Sequence, residues 1–184
     1  MTSGSIAPAL LVAMPQLLDP NFKRAVVLLV HHDEEGTFGL VVNQPSELSV
    51  RQVCDDLSIP WCGDEAATLR IGGPVQPETG WVVFGDGGDD FEDVHRVVEG
   101  LSVAGSLQTL REIAAAPPDR LAFLLGYAGW GPHQLEEELA QGAWLLAPVC
   151  ADVVFGVDPG EMWERVLRDL GVDPSTLVAT PGVH

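Results

Sequence analysis

The segment 126–138 constrains the fold more than any other part of the sequence. It follows a short apolar run at 120–125, which is consistent with a buried strand. Glycine is used where the backbone has positive φ or must let another group approach closely. Three glycines fall within six residues, namely Gly126, Gly129 and Gly131. Pro132 then suits the first position of a helix. The segment therefore predicts a strand end, a tight glycine-rich turn and the start of a helix.

The spacing within that helix predicts two distinct faces. Leu135 and Leu139 lie four residues apart and are expected to face the core, whereas Gln134 and Glu138 share a polar face. Gly142 is expected to end the helix. Two interpretations stay open at this point. The helix start could be a polar wall that holds an anion, or it could be a capped structural connection.

The composition indicates one globular domain spanning residues 1–184, with about 1–5 and 176–184 expected to be flexible. The net charge is −18, from 9 basic and 27 acidic residues. Such a surface repels phosphate backbones and anionic lipid, which argues against direct nucleic-acid binding. No apolar run is long enough to span a bilayer, and the 3 cysteines have irregular spacing. We therefore expect a cytoplasmic protein with free thiols.

Apolar runs and capping residues predict the remaining elements. Strands are expected at 9–13, 24–32, 38–43, 68–71, 80–84, 94–98, 144–147 and 152–155. Helices are expected after the capping residues Ser49, Ser106 and Asp158. Leu57 and Leu107 are placed on the core faces of the first two of these helices. The acidic segment 86–93 is interpreted as a solvated loop because it lacks the spacing of an EF-hand calcium site. Strands and helices do not alternate strictly, which predicts an α+β fold.

Few residues offer recognisable chemistry. His31 and His32 are adjacent in a predicted strand, so their side chains point to opposite faces and cannot readily bind one metal ion. An inward-facing His32 is more typical of a structural histidine than of a ligand. The sequence has no nucleophile elbow, P-loop or dinucleotide-binding fingerprint. No metal or cofactor is predicted.

Two element ends could still present polar groups to a ligand. Asn43 closes a predicted strand and could offer its amide to a pocket, although an asparagine that forms a turn fits equally well. A second turn signal consists of Gly72, Gly73 and Pro74. These residues favour a plain turn, with a phosphate cradle as the alternative. Cys54 lies on the predicted core face of its helix and is expected to be buried and inert.

Several motifs, in the same order along nearly the whole chain, resemble the AlgH family, also called UPF0301 or DUF179. They are 10–15 with Asp19, Phe22 and Arg24; His32; 39–45; 72–75; 126–131; Gln134, Leu135, Glu136 and Glu138; Ala143 and Trp144; and Trp163, Leu170 and Gly171. The resemblance implies an α+β single domain with a bifurcated mixed β-sheet closed into a pseudo-barrel and flanking helices. Some family members are linked genetically to transcriptional control. The chain departs from the family at His133, usually glycine, and at Gln44, usually arginine.

We therefore expect a binding or regulatory protein, with an indirect role in transcription among its expected functions and a small molecule or another protein as its partner. The candidate binding surface consists of His32, Asn43, Gly72, Gly73, Pro74, Gly129, Trp130, Gln134 and Glu138. The alternative is a hydrolase or transferase that uses Glu138 or His32 as a base at the glycine-rich turn. A direct transcription factor is disfavoured by the charge of −18.

Overall fold

The computed structural model describes residues 6–15, 17, 19–20, 22–85 and 94–177. Its strands are β1 (Ala9–Ala13), β2 (Val26–Asp33), β3 (Gly36–Val41), β4 (Pro45–Ser49), β5 (Thr68–Ile71), β6 (Val75–Phe84), β7 (Val94–Val98), β8 (Leu101–Ala104), β9 (Leu121–Trp130) and β10 (Trp144–Ala147). Its helices are α1 (Val50–Asp56), α2 (Leu107–Ala115), α3 (Gln134–Ala140), α4 (Ala151–Gly156) and α5 (Pro159–Asp169), followed by a 3-10 helix at Pro174–Leu177. The acidic loop at 86–93 and the termini 1–5 and 178–184 lie outside the described residues.

The strands form one mixed sheet that forks. Its main path runs in the order β10-β1-β2-β3-β9-β6-β8-β7, and β4 and β5 branch from it. The pairing of β5 with β9 is parallel, and the other pairs among the described strands are antiparallel. The sheet is strongly curled into a half barrel. The predicted α+β class and the bifurcated, barrel-like mixed sheet are confirmed.

Strand β9 is the point where the sheet forks. Leu124 pairs with Arg70 of β5 on one edge and with Trp81 of β6 on the other. Farther along β9, Gly129 pairs with Phe38 of β3. The prediction of a turn after residue 125 is therefore wrong, because β9 continues through the glycines to Trp130. Gly126 has φ of 76°, and this left-handed residue lies where β9 changes its partner from β5 to β3.

A crossing of two backbones explains the glycines at the fork. A Cβ atom on Gly73, which has φ of +152°, would overlap the backbone of Tyr127. A Cβ atom on Gly126 would overlap the carbonyl oxygen of Gly73. Hydrogen bonds of Gly72 stabilise the crossing. Its N–H donates to the Leu125 carbonyl at 2.7 Å, and its own carbonyl accepts from Val41 N at 2.8 Å. Gly72 and Gly73 are buried, and their backbone groups face other chain segments.

Both faces of the sheet are covered. Alternate residues of β1 point to opposite sides, so that Leu10 packs with α4 and α5 while Leu11 packs with the α3 side. Helices α1 and α2 cover a third apolar cluster that includes Cys54 and Ile113. Cys54 is buried, as the sequence predicts. The Trp163 side chain anchors α5, because its Nε1 donates to the Ala13 carbonyl at 2.8 Å.

The capping predictions are confirmed for three helices. The Ser49 side chain accepts a hydrogen bond from Gln52 N, that of Ser106 accepts from Thr109 N, and that of Asp158 accepts from Gly160 N. Each cap lies within a few residues of the donor it satisfies, so the sequence alone specifies it.

Three elements differ from the sequence-based expectation. The strand predicted at 152–155 is helix α4, whose buried Val153 and Val154 belong to the cluster under α5. A short apolar run carries no period that separates a buried strand from a buried helix. Strands β4 and β8 were not predicted. Strand β4 has no buried residue and therefore no apolar pattern, and Ser102 interrupts the short apolar run of β8.

Candidate functional site

The polar face predicted for α3 closes a buried aromatic cluster. Glu138 Oε1 accepts hydrogen bonds from Trp130 Nε1 at 3.0 Å and from Trp144 Nε1 at 2.9 Å. Glu138 Oε2 accepts from Gln134 Nε2 at 3.0 Å. Both indole rings are buried, with Trp130 at 6% and Trp144 at 2% exposure. The carboxylate of Glu138 thus satisfies two indole N–H groups that burial removes from water. We call this arrangement of Trp130, Gln134, Glu138 and Trp144 the indole clasp.

Phe22 completes the packing of the indole clasp. Its ring stacks on Trp130 with centroids 6.1 Å apart and meets Trp144 edge-on at 5.7 Å. The two indoles are 5.9 Å apart in an edge-to-face arrangement. Such pairs add stability beyond the area that they bury. The clasp therefore joins β9, α3 and β10 to the segment that precedes β2.

Helix α3 starts two residues later than predicted. Its N-cap is His133, which adopts a left-handed conformation with φ of 63° and makes no side-chain cap hydrogen bond. The Gln134 side chain instead reaches back, and its Oε1 accepts from Gly131 N at 3.0 Å. Pro132 therefore lies before the helix rather than at its first position. A left-handed N-cap is a conformation that favours glycine, so His133 is strained at this position.

His32 faces inward, and both of its ring nitrogens have partners. Nδ1 lies 2.7 Å from Thr37 Oγ1, and Nε2 lies 3.3 Å from Glu136 Oε2. Its side chain is 9% exposed, whereas that of His31 is 60% exposed. His31 Nε2 instead contacts Asp33 Oδ2 at 2.7 Å. The two histidines therefore point apart, as the strand pattern predicts. The described residues contain no group of three or more His, Cys, Asp or Glu side chains that could hold a metal ion.

Asn43 uses its amide within the protein. Its Oδ1 accepts from Val26 N at 2.8 Å, and its Nδ2 donates to the Arg24 carbonyl at 2.9 Å. These bonds hold Arg24 in a left-handed conformation, with φ of 55°, just before β2 begins. The Arg24 guanidinium lies 4.6 Å from the ring centre of Trp163. Asn43 also borders a small cavity of about 240 Å³, lined in part by Lys23 and Trp163.

A half-buried arginine outside the predicted surface supports the same region. Arg70 donates from Nη1 to the carbonyl of Val42 at 2.8 Å and to that of Val154 at 3.2 Å. Burial lowers the pKa of Arg70, and the nearby charge of Asp158 opposes that change. Its guanidinium therefore links the end of β3 to α4.

The predicted surface divides into three regions. His32, Gly129, Trp130, Gln134 and Glu138 gather at the α3 end of β9, because Trp130 pairs with Thr37 and His32 contacts Glu136. The second region is the backbone crossing, formed by Gly72, Gly73 and the exposed Pro74 beside it. Asn43 forms the third region and adjoins the crossing, because Val41 N donates to the Gly72 carbonyl at 2.8 Å and Ile71 N donates to the Gln44 carbonyl at 2.9 Å. None of the four cavities found among the described residues is lined by all nine predicted residues.

A large cavity lies elsewhere, between α1, α2 and the sheet. Its volume is about 550 Å³. Its wall is mainly apolar and includes Val50, Val53, Leu57, Leu69, Trp81, Val82, Leu107, Leu110, Phe123 and Leu125. Leu57 and Leu107, which were predicted to face the core, are instead 43% and 46% exposed. The sequence carries no signal for this cavity, because the periodicity of apolar residues is the same whether a helix face is covered or borders a cavity.

Comparison with known proteins identifies the family to which this fold belongs. A family model described as AlgH-like matches residues 10–175. A UPF0301 protein of Myxococcus xanthus is 42% identical over 182 residues, which cover 98% of this chain and 99% of the relative. A UPF0301 protein of Ruegeria pomeroyi is 39% identical, with 94% of this chain and 96% of the relative covered.

Two solved structures share the architecture. The solution structure of the AlgH protein from Pseudomonas aeruginosa aligns with a TM-score of 0.79 and 34% identity, covering 100% of this chain and 98% of that one. A crystal structure of a Corynebacterium diphtheriae protein aligns with a TM-score of 0.75 and 26% identity, covering 96% and 91%. The forked half-barrel sheet is thus an α+β fold with solved examples. The chain belongs to the AlgH-like family, DUF179 or UPF0301. Among its described helices, none is long and apolar enough to cross a membrane.

Proposed function

We propose that this AlgH-like chain is a non-catalytic, cytosolic binding protein that takes an apolar small molecule into the cavity between α1 and α2. The observation that carries the proposal is the cavity itself, at about 550 Å³ with a mainly apolar wall. Sites for small molecules are concave and largely apolar, with volumes of about 300–1,000 Å³ and a few polar groups. The volume and the lining both match that description.

The polar groups around the cavity support an uncharged or weakly polar ligand. Asp56 and Glu78 are exposed residues that line it. The Ser106 hydroxyl is engaged in capping α2, since it accepts from Thr109 N and donates to Thr109 Oγ1.

The contacts of Glu138 and His32 weaken the enzymatic alternative. A general base needs a lone pair within reach of the proton that it abstracts. The Glu138 oxygens accept three N–H groups from Trp130, Trp144 and Gln134. His32 has partners at both ring nitrogens. The indole clasp is therefore better suited to holding the fold than to transferring a proton.

A regulatory role would act through α1 and α2 rather than through DNA. Ligand binding can change a protein only by its different affinity for two conformations. Exposed leucines Leu57 and Leu107 border the cavity, so an occupant would alter the surface that these two helices present. The net charge of −18 favours an indirect role in transcription over direct contact with a promoter.

Gly80 offers a direct test of the cavity. It lies on β6 on the same face as Val82, and a Cβ atom placed there meets nothing within 4 Å. Gly80→Leu should therefore block the cavity without disturbing the fold. Gly156→Leu is the matched control, because Gly156 is also open to an added Cβ but does not line the cavity.

The probe is N-phenyl-1-naphthylamine, a neutral apolar fluorophore, titrated into the full chain. We expect saturable binding at one site by the unaltered chain and by Gly156→Leu, and binding weakened by about tenfold or more in Gly80→Leu, equivalent to about 1.4 kcal/mol. Equal affinity of the two leucine variants, or no saturable binding by the unaltered chain, would overturn the proposal.

A further inference from the structure

A second concave surface lies beside β3, β6 and β9 and shares Trp81 with the wall of the α1–α2 cavity. It is an open groove of about 780 Å³. Three half-buried aromatic rings line it, with Phe38 4.9 Å from Trp81 and 5.0 Å from Tyr127 between ring centres. Trp81 and Tyr127 meet edge-on at 6.2 Å. We call this surface the aromatic groove.

The rim of the aromatic groove is acidic. Asp33 and Glu35, both exposed, line it together with His31, and its described lining contains no lysine or arginine. Asp33 accepts hydrogen bonds from His31 Nε2 at 2.7 Å and from Glu35 N at 2.8 Å. These two donors lower the pKa of the Asp33 carboxyl group, so it is ionised at neutral pH.

We propose that the aromatic groove binds an arginine or lysine side chain of a protein partner. The faces of aromatic rings attract cations, and the attraction is largest where the cation is partly shielded from water. The carboxylates of Asp33 and Glu35 lie on the same surface as the rings. The net charge of −18 would also speed the approach of a basic partner.

The shape of the groove favours a side chain over a free small cation. The groove is open along one face, and its half-buried rings cannot surround a ligand. A free organic cation would keep most of its water there and would bind weakly. A basic side chain reaches the rings with its charged end while the partner's backbone stays outside, and contacts of that backbone add affinity.

The test uses a capped pentapeptide in which serine alternates with two arginines, and the same peptide with citrulline in place of arginine. Citrulline keeps the shape of arginine and removes its charge. The variants are Tyr127→Leu, Tyr127→Phe and the pair Asp33→Asn with Glu35→Gln. Tyr127 does not line the α1–α2 cavity, so these variants leave the cavity proposal untouched. A charge-matched control pair is Glu47→Gln with Glu99→Gln, since both residues are exposed and neither lines the groove.

Binding is followed by isothermal titration calorimetry, with circular dichroism to verify that each variant is folded. We expect the arginine peptide to bind and the citrulline peptide to bind about tenfold more weakly. We expect Tyr127→Leu and the rim pair each to weaken binding about fivefold or more, and Tyr127→Phe and the control pair to change it less than about twofold.

Three results would overturn the proposal. Equal weakening by the rim pair and the control pair would mean that the net charge alone attracts the peptide. Unchanged binding in a folded Tyr127→Leu variant would exclude the rings. Free guanidinium or choline binding as tightly as the peptide would assign the groove to small cations instead of a protein partner.

Discussion

Glu138 Oε1 accepts hydrogen bonds from the indole nitrogens of both Trp130 and Trp144, at 3.0 and 2.9 Å. One side-chain oxygen therefore connects the end of β9 to the start of β10. The same glutamate stands in the segment that carries the strongest resemblance to the family. Its contacts indicate that Glu138 maintains the fold.

Removal of Glu138 should destabilise the protein. Glu138→Ala leaves two buried indole N–H groups without an acceptor, and each unsatisfied donor costs about 1–3 kcal/mol. We expect the free energy of unfolding to fall by about 2–4 kcal/mol, measured by urea denaturation. Glu137→Ala, on the exposed face of the same helix, should change it by less than about 0.5 kcal/mol. Equal losses in the two variants would rule out the clasp as the cause.

Replacement of His133 by glycine should stabilise the protein. His133 has φ of 63°, a left-handed conformation that costs an L-residue about 1–2 kcal/mol. The greater entropy of glycine in the unfolded chain offsets part of the gain. We expect His133→Gly to raise the free energy of unfolding by about 0.5–1 kcal/mol. Glu137→Gly, inside the helix, should lower it by about 1 kcal/mol. A destabilised His133→Gly variant would show that the imidazole makes a compensating contact.

The backbone crossing should tolerate no side chain at Gly73. A Cβ atom there would overlap the backbone of Tyr127, and the residue has φ of +152°. We expect Gly73→Ala to cost about 3 kcal/mol or more and to lower the melting temperature accordingly. Gly80→Ala serves as the control, because its added Cβ meets nothing within 4 Å. Similar melting temperatures for the two variants would contradict the close approach at the fork.

The three thiols should react unequally. Cys54 is buried, and burial, with a smaller contribution from Asp55, raises its pKa. The thiolate is the reactive form, so Cys54 should resist alkylation, whereas exposed Cys62 and Cys150 should react. Mass spectrometry after iodoacetamide treatment at pH 8 should show two adducts on the folded chain and three in urea. Three adducts on the folded chain would mean that α1 opens readily.

The carboxyl group of Asp33 should titrate in an unusually acidic range. The hydrogen bond from His31, followed by the bond from Glu35 N, lowers the pKa of Asp33 in the folded protein. A lowered folded pKa stabilises the protein above the ordinary aspartate value, about 3.9, and this contribution is lost as the pH falls through the lowered value. NMR titration of the side-chain carboxyl should locate the midpoint, and His31→Ala should move it upward. An unmoved midpoint would exclude the imidazole as the main cause.

Local features of the fold could be predicted from the sequence. The caps at Ser49, Ser106 and Asp158 involve donors within three residues, so each sequence segment contains both partners. The path of β9 could not be predicted, because the space at Gly126 is set by Gly73, which is distant in sequence. The glycines alone predict a turn. The close approach of Gly73 to Gly126, which lets the strand continue, is a contact between residues distant in sequence.

In the candidate site, too, local contacts could be predicted from the sequence and contacts between distant segments could not. The shared face of Gln134 and Glu138 follows from their spacing, and their side chains do meet. The hydrogen bond between Glu138 and Trp144 depends on the pairing of β10 with β1. No local sequence pattern specifies that pairing. The cavity between α1 and α2 could not be predicted, because the periodicity of Leu57 and Leu107 indicates an apolar helix face and does not show whether that face is covered.

Strand β9 pairs with β3, β5 and β6, so it belongs to both arms of the forked sheet. If either arm unfolds, β9 loses hydrogen bonds, and the other arm also depends on β9. The two halves of the chain should therefore melt together in a single cooperative transition, and a fragment that ends before residue 121 would lack the central strand of either arm.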